Sequence, residues 1–402
     1  MRRELPEGRT PGATQESDNT RTHKRQHDTM KRHIRTCLLA VMALACLGSC
    51  SLLERKPGTP STVTNPLPMK LGDPFLLHAS NGKYYMYGTS MADGFEAFVS
   101  EDLVHWDSCG QVYHGGDSNQ WCKDCFWAPE VYERNGKYYM FFSANWRKNP
   151  THEAENFKIG VAVSERPEGP FRDLMNRPIF SPDYPIIDAN VLFDDEHGRC
   201  YLYFSRCCYK HPVESEVADS LRREGVYQEI EESWVYGVEM KSDFTGVIGE
   251  PQLLLQPPTH LSDRQSEWES RSASHGEVNR RWTEGSYIFK HKGLYYIMYS
   301  ANCYQGQYYA VGYATACNPL GPFCKADNNP VLEENLRQGG EVMGTGHNMV
   351  LEMPDGSLYT VYHGRMKSNP DERVVLMDRV RIEDSGKLVV DGPTTEPQVI
   401  RR

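Results

Sequence analysis

The chain of 402 residues is 39% hydrophobic and 24% charged, with a formal net charge of −10. That is length and apolar content enough for a full core in one large domain or two, and an acidic balance with no basic stripe excludes nucleic acid as a partner. Tyrosine, at 23 copies against 14 Phe and 7 Trp, favours an all-β protein, because aromatic side chains suit a half-buried pleated surface.

The first element in chain order is a targeting segment. "MKRHIRTCLLAVMALACLGSC" (Met30–Cys50) has a basic start and an apolar core from Cys37 to Leu47. That core is too short to span a bilayer, which takes about 20 residues, and it fits a signal peptide. Its end, "LGSC", resembles a bacterial lipobox, with Cys50 as the residue to be lipidated. Residues 1–29 are polar and would bury the basic start inside the chain, so translation is expected to begin at Met30. The expected organisation is an extension and lipoprotein signal over 1–50, a linker over 51–69 and one folded domain over 70–402. The protein is expected to be exported and to touch a membrane only through the lipid anchor.

Of the 12 cysteines, three (Cys37, Cys46, Cys50) fall in that leader, and an oxidising compartment permits disulfides among the rest. Cys317 and Cys324 straddle the turn in "CNPLGPFC" and are the expected bridge. Cys122 and Cys125 have zinc-like spacing but no second pair to complete four ligands.

Beyond residue 70 a hairpin unit recurs five times: "DPFLLHASNGKYYMYGTS" from Asp73, "WAPEVYERNGKYYMFFSA" from Trp127, "DANVLFDDEHGRCYLYFS" from Asp188, "EGSYIFKHKGLYYIMYSA" from Glu284 and "HNMVLEMPDGSLYTVYHG" from His347. Each is a short apolar strand, a polar turn with Gly and an alternating aromatic strand; such turns need positive φ. Outer strands follow, two of them ending in "PxGPF". Four strands recurring every 50 to 60 residues are blades of a β-propeller, and five copies predict an all-β, five-bladed β-propeller. Two long charged segments, Cys207–Ser233 and Pro257–Arg281, break the rhythm and are placed to wall a pocket.

The innermost strand of each blade lines the central channel, so equivalent residues form a ring. Counting back from the first aromatic of the second strand gives that ring as Asp73, Trp127, Asp188, Glu284 and His347. Buried charge is costly unless paired, so three carboxylates, an imidazole and an indole in one funnel read as an active site. The chemistry is acetal hydrolysis: one carboxyl protonates the leaving oxygen, a second activates water, and a third raises the acid's pKa. Trp127 offers an apolar face to a sugar ring.

The motifs "GDP", "VSEDLVHW", "WAPEV", "IDANVLF", "TEGSY", "GPF" and "GTGHNMVL", spread from about residue 70 to 385, resemble glycoside hydrolase family 43, inverting five-bladed propeller enzymes of plant arabinans and xylans. The resemblance implies Asp73 as general base, Glu284 as general acid and Asp188 as the pKa modulator. It implies that His347 faces a hydrated calcium ion, structural and not required for the chemistry, and that Arg365 of "YHGR" contacts substrate. The implied partner is an arabinose- or xylose-containing plant glycan, cleaved at α-L-arabinofuranosyl or β-D-xylosyl linkages. The competing reading is a lipoprotein that binds glycans on a propeller face without hydrolysing them.

Overall fold

The computed structural model describes residues 60–150, 152, 155–209, 215–224, 229–271 and 278–401. The expected leader, its lipidation site Cys50 and residues 51–59 of the linker lie outside the described residues.

A short strand β1 (Ser61–Val63) precedes five blades of consecutive antiparallel strands. Blade I is β2 (Gly72–His78), β3 (Tyr84–Thr89), β4 (Gly94–Ser100) and β5 (Asp107–His114). Blade II is β6 (Trp127–Arg134), β7 (Lys137–Asn145), β8 (Phe157–Ser164) and β9 (Arg172–Asp173). Blade III is β10 (Ile186–Asp194), β11 (Arg199–Tyr209), β12 (Glu229–Met240) and β13 (Val247–Leu255). Blade IV is β14 (Val278–His291), β15 (Leu294–Ala301), β16 (Ala310–Ala316) and β17 (Cys324–Lys325). Blade V is β18 (Val342–Glu352), β19 (Leu358–Met366), β20 (Asn369–Ile382) and β21 (Leu388–Val390). The fold is the five-bladed propeller that the repeats predict. The turn glycine of each inner hairpin (Gly82, Gly136, Gly198, Gly293, Gly356) takes positive φ, between 64° and 85°.

No blade is shared between the two ends of the described chain. Instead β1 pairs antiparallel with β22 (Gln398–Ile400), and Asn65 fastens this clasp to blade V. Its amide donates to Met377 O (3.0 Å) and accepts from Met377 N (2.9 Å). Blades also lock outward of the channel. Tyr87 of blade I donates to Pro167 O of blade II (2.6 Å), and Tyr203 of blade III donates to Pro319 O of blade IV (2.7 Å). Both prolines belong to the two "PxGPF" turns, which gives those turns a packing role.

The two irregular segments meet. Between them lie a helix α1 (Glu216–Arg223), N-capped by Ser215, and extensions of β12 and β14 that pair in parallel, Glu229–Ser233 with Val278–Trp282. This ladder joins blades III and IV into one sheet. Arg281 is fully buried in it, bonded to Glu232 Oε1 at 2.7 Å, while Arg280 meets Glu231 at 3.0 Å. A buried charge needs such a partner to be tolerated. The expected Cys317–Cys324 bridge is not made: both thiols are unbonded and exposed, because β17 sets Cys324 opposite Thr315, out of register with Cys317.

Each inner strand carries a bulge at the same height, where its ladder to the second strand skips residues: after Gly72, Trp127, Ile187, Glu284 and Gly346. The next residue, in order Asp73, Ala128, Asp188, Gly285 and His347, has positive φ, from 46° to 59°. Its backbone N–H turns away from its own blade, and the preceding blade captures it. Ala128 N donates to Thr89 Oγ1 (2.8 Å), Asp188 N to Ser143 Oγ (2.9 Å), and His347 N to Ser300 Oγ (2.7 Å). Gly285 N donates to Asp188 Oδ2 (3.1 Å), which Ser205 Oγ also approaches (3.4 Å), and Asp73 N closes the circle on His363 Nδ1 (3.1 Å). Thr89, Ser143, Ser205, Ser300 and His363 all stand opposite a bulge on the second strand.

Removing one such acceptor strands a buried donor. Ser143→Ala is expected to lower unfolding stability by about 1–3 kcal/mol, read as a reduced urea midpoint at unchanged slope.

Candidate active site

The bulges place the functional side chains. First and second bulge residues from blades I to V surround one half-open pocket of about 100 Å³, lined by Asp73, Trp127, Ile187, Asp188, Glu284 and His347, with Arg373, Tyr309, Trp282 and Tyr304 added from elsewhere. All five residues predicted for the ring therefore converge, but not at one position. Trp127 and Glu284 are first bulge residues; Asp73, Asp188 and His347 are second. The reason is turn length: blades II and IV have two-residue hairpin turns (135–136, 292–293), while those of I, III and V are longer. A count taken from the second strand therefore lands one residue early in blades II and IV.

Two first bulge residues are glycines, and each makes room for a side chain from another strand. A Cβ on Gly72 would lie 1.9 Å from Arg373 Cζ, and one on Gly346 would lie 2.1 Å from the Tyr309 ring. Arg373 uses that space to reach Asp73 Oδ1 at 3.0 Å. It also lies over the Tyr304 ring at 5.3 Å. Arg365 is placed differently from its predicted role. It is buried outside the pocket lining, and its guanidinium donates to Pro370 O (2.9 Å) and Tyr304 O (3.4 Å). The guanidinium in the pocket belongs to Arg373, which sequence reasoning missed; its signal was the glycine before Asp73. Trp127 packs its ring on Phe157 at 4.5 Å and shows the rest to the pocket. Trp282 arrives on the β12–β14 ladder, directly after the second charged segment, and among the described residues no member of either segment, 207–233 or 257–281, lines the pocket.

The three carboxyl groups sit in unlike surroundings. Burial pushes Asp73 up, but Arg373 and then His347 (Nδ1 to Asp73 Oδ1, 3.3 Å) outweigh it and hold the carboxyl well below the usual carboxylate range. Thr89 Oγ1 also donates to Asp73 Oδ2 at 2.6 Å. Burial pushes Glu284 well above its ordinary value, and the charge of Asp188 adds to the rise. Burial raises Asp188 too, with His347 pulling back and Asp73 adding. Beneath them His363 is fully buried, its imidazole pushed down to about 4 by burial, hence neutral with Nδ1 free to accept the Asp73 N–H. One layer deeper, burial pushes the Glu130 carboxyl up to about 8, where Tyr132 and Asn190 (3.0 Å) donate to it. Glu130 lies in the "WAPEV" motif and was not foreseen as a titrating group.

A calcium ion takes roughly six to eight oxygen ligands. His347 supplies one imidazole whose Nδ1 lies 3.3 Å from Asp73 Oδ1, and among the described residues it joins no grouping of three candidate metal ligands. Among the described residues the only grouping of three candidate metal ligands is Asp194, Glu196 and His197, on the turn after β10. The residues at His347 do not fit a directly ligated calcium, and no chemical step is drawn through one.

A propeller funnel in which one carboxyl is pushed down, a second is pushed up and a third stands beside them has the opposed carboxyl pair that acid–base cleavage of a glycosidic bond needs. The family model for glycosyl hydrolases family 43 matches residues 63–388. A crystal structure of a thermostable family-43 glycoside hydrolase is 35% identical, with TM-score 0.68, over 83% of this chain and 97% of that one. An endo-1,4-beta-xylanase structure from Bacteroides thetaiotaomicron is 31% identical, with TM-score 0.63, over 85% and 99%. Among characterised sequences, a beta-D-galactofuranosidase of Aspergillus niger is 26% identical over 79% of this chain and 81% of its own length. A xylosidase/arabinosidase of Bacteroides ovatus is 26% identical over 63% and 76%. The chain belongs to glycosyl hydrolase family 43.

The electrostatics predict a bell-shaped pH profile of kcat/KM, with an acidic limb below and an alkaline limb above the ordinary carboxylate range. Removing the nearby positive charge lets the Asp73 carboxyl rise, so Arg373→Gln is expected to move the acidic limb up by about one pH unit, with a smaller upward move of the alkaline limb because Arg373 also pulls Glu284 down.

Proposed function

We propose that the protein is an inverting glycoside hydrolase that cleaves α-L-arabinofuranosyl or β-D-xylosyl linkages of plant cell-wall glycans or their fragments. The observation that carries this reading is the opposite protonation preference of Asp73 and Glu284 in one pocket. Asp73, ionised, takes a proton from a water that attacks the anomeric carbon. Glu284, protonated, gives its proton to the glycosidic oxygen as that bond breaks. Asp188 adds its charge to burial in pushing Glu284 up, and its Oδ2 receives Gly285 N, fixing the backbone next to the acid. Trp127 and Trp282 give the sugar apolar faces, and Arg373 meets it from the side of the base. A pure binding protein needs the indoles and has no use for carboxyls tuned in opposite directions.

A panel of aryl α-L-arabinofuranosides, β-D-xylosides and β-D-galactofuranosides, together with arabinan and xylan fragments, tests the substrate. Release of arabinose or xylose with inverted anomeric configuration by proton NMR, and a loss of about 10²-fold or more in Asp73→Asn and Glu284→Gln, is the expected result. Glycan binding without product across the panel would instead make this a binding protein.

Export and lipid anchoring at Cys50 belong to the same proposal and rest on the basic start, short apolar core and "LGSC" of residues 30–50. Expression with a radiolabelled fatty acid is expected to label the wild type and not Cys50→Ala, and the variant is expected to leave the membrane fraction.

A further inference from the structure

Tyr309 precedes β16 and belongs to none of the inner hairpins, yet it reaches both ends of the chemistry. It is buried to 1% exposure, and its hydroxyl donates to Glu284 Oε1 at 3.0 Å. Its ring lies in the slot that Gly346 leaves open and stacks on the His363 imidazole, with centroids 5.6 Å apart and planes within 13°. His363 in turn receives the N–H of Asp73.

The Tyr309 proton points at Glu284 Oε1, while the neighbouring Ser300 hydroxyl accepts the His347 N–H at 2.7 Å. A carboxyl whose Oε1 already receives a hydrogen bond carries its own proton on Oε2.

We propose that Tyr309 is a positioning residue for the reaction. Its hydroxyl assigns the transferable proton of Glu284 to the second carboxyl oxygen and aims it at the leaving group, and its ring, braced on His363, holds the acid at a set distance from the base. This inference rests on the reading of Glu284 as general acid. A residue that only fills the slot would show none of the following dependence on the leaving group.

The test compares kcat and KM of the purified wild type, Tyr309→Phe and Glu284→Gln on two substrates of the sugar that the panel identifies. One is the 2,4-dinitrophenyl glycoside, whose leaving group needs no proton; the other is the matching oligosaccharide, whose leaving group does. Tyr309→Phe keeps the ring and its packing. It is expected to lose about tenfold in kcat on the oligosaccharide, the size of one well-made hydrogen bond, with KM unchanged and less than about a twofold change on the dinitrophenyl glycoside. Equal losses on both substrates, or wild-type rates on both, would overturn the proposal. Glu284→Gln separates the two levels of inference. A steeper version of the same selectivity upholds the acid role, whereas a loss independent of leaving group removes Glu284 from that role and takes the proposal with it.

Discussion

The captured N–H at each bulge is the constraint on which the site depends. A β-bulge leaves one residue unpaired with its own ladder, and an unpaired buried N–H costs free energy comparable to a lost hydrogen bond. Here the loss is avoided five times by a side chain of the preceding blade: four times the residue opposite its bulge accepts the N–H, and at Gly285 the bulge residue Asp188 does so. The blades are thereby set in register with one another at the height where the carboxyl groups project. Positive φ at Asp73, Asp188 and His347 is uncommon for residues with side chains, and the capture is what holds it. At Asp188 structure and chemistry merge, because its carboxylate is itself the acceptor for blade IV.

The two glycines beside the ring do as much for the electrostatics as the acids do. If Gly72 bore a side chain, Arg373 could not reach Asp73, and the carboxyl would lose the largest of the influences that oppose the upward push of burial. If Gly346 bore one, the Tyr309 ring would be displaced from Glu284 and His363. The site thus pushes one carboxyl down and lets burial push another up by choosing which of them receives a cation. Asp73 has Arg373 at 3.0 Å, whereas Glu284 has a phenol and a neighbouring carboxylate.

The five hairpins were legible because their alternation and turn glycines are local properties, and the residues of the ring were legible because the hairpins repeat. The offset of Trp127 and Glu284 was not, since a two-residue turn and a five-residue turn look alike when counted from the aromatic strand. It decides which residue of each bulge faces the pocket. Arg373 and Tyr309 lay outside any repeat and came from β20 and the β15–β16 connection, so only a three-dimensional path brings them in. A trace of each was visible in hindsight, as the glycine ahead of Asp73 in "LGDP" and ahead of His347 in "TGHN". The hydroxyls of Thr89, Ser143, Ser205 and Ser300 were equally on view, at matching ends of "YGTS", "FFSA", "YFS" and "MYSA". Their meaning depends on contact with another blade, which no single repeat can show. Arg365 failed for the opposite reason: it stood near the right motif, but its strand position turns it toward backbone carbonyls.

Because every blade is a continuous piece of chain, the blades can form in order of synthesis, yet the surroundings of Asp73 cannot be completed in that order. Asp73 belongs to the first blade, whereas the imidazole that takes its N–H and the guanidinium that holds it ionised come from the last, 290 and 300 residues further on. A ribosome therefore releases almost the entire catalytic domain before the Asp73 carboxyl acquires its charge partner. Partial chains carry Asp188 and Glu284 but no Asp73 held down by Arg373, so the opposed pair of carboxyls is complete only when the circle of blades has shut.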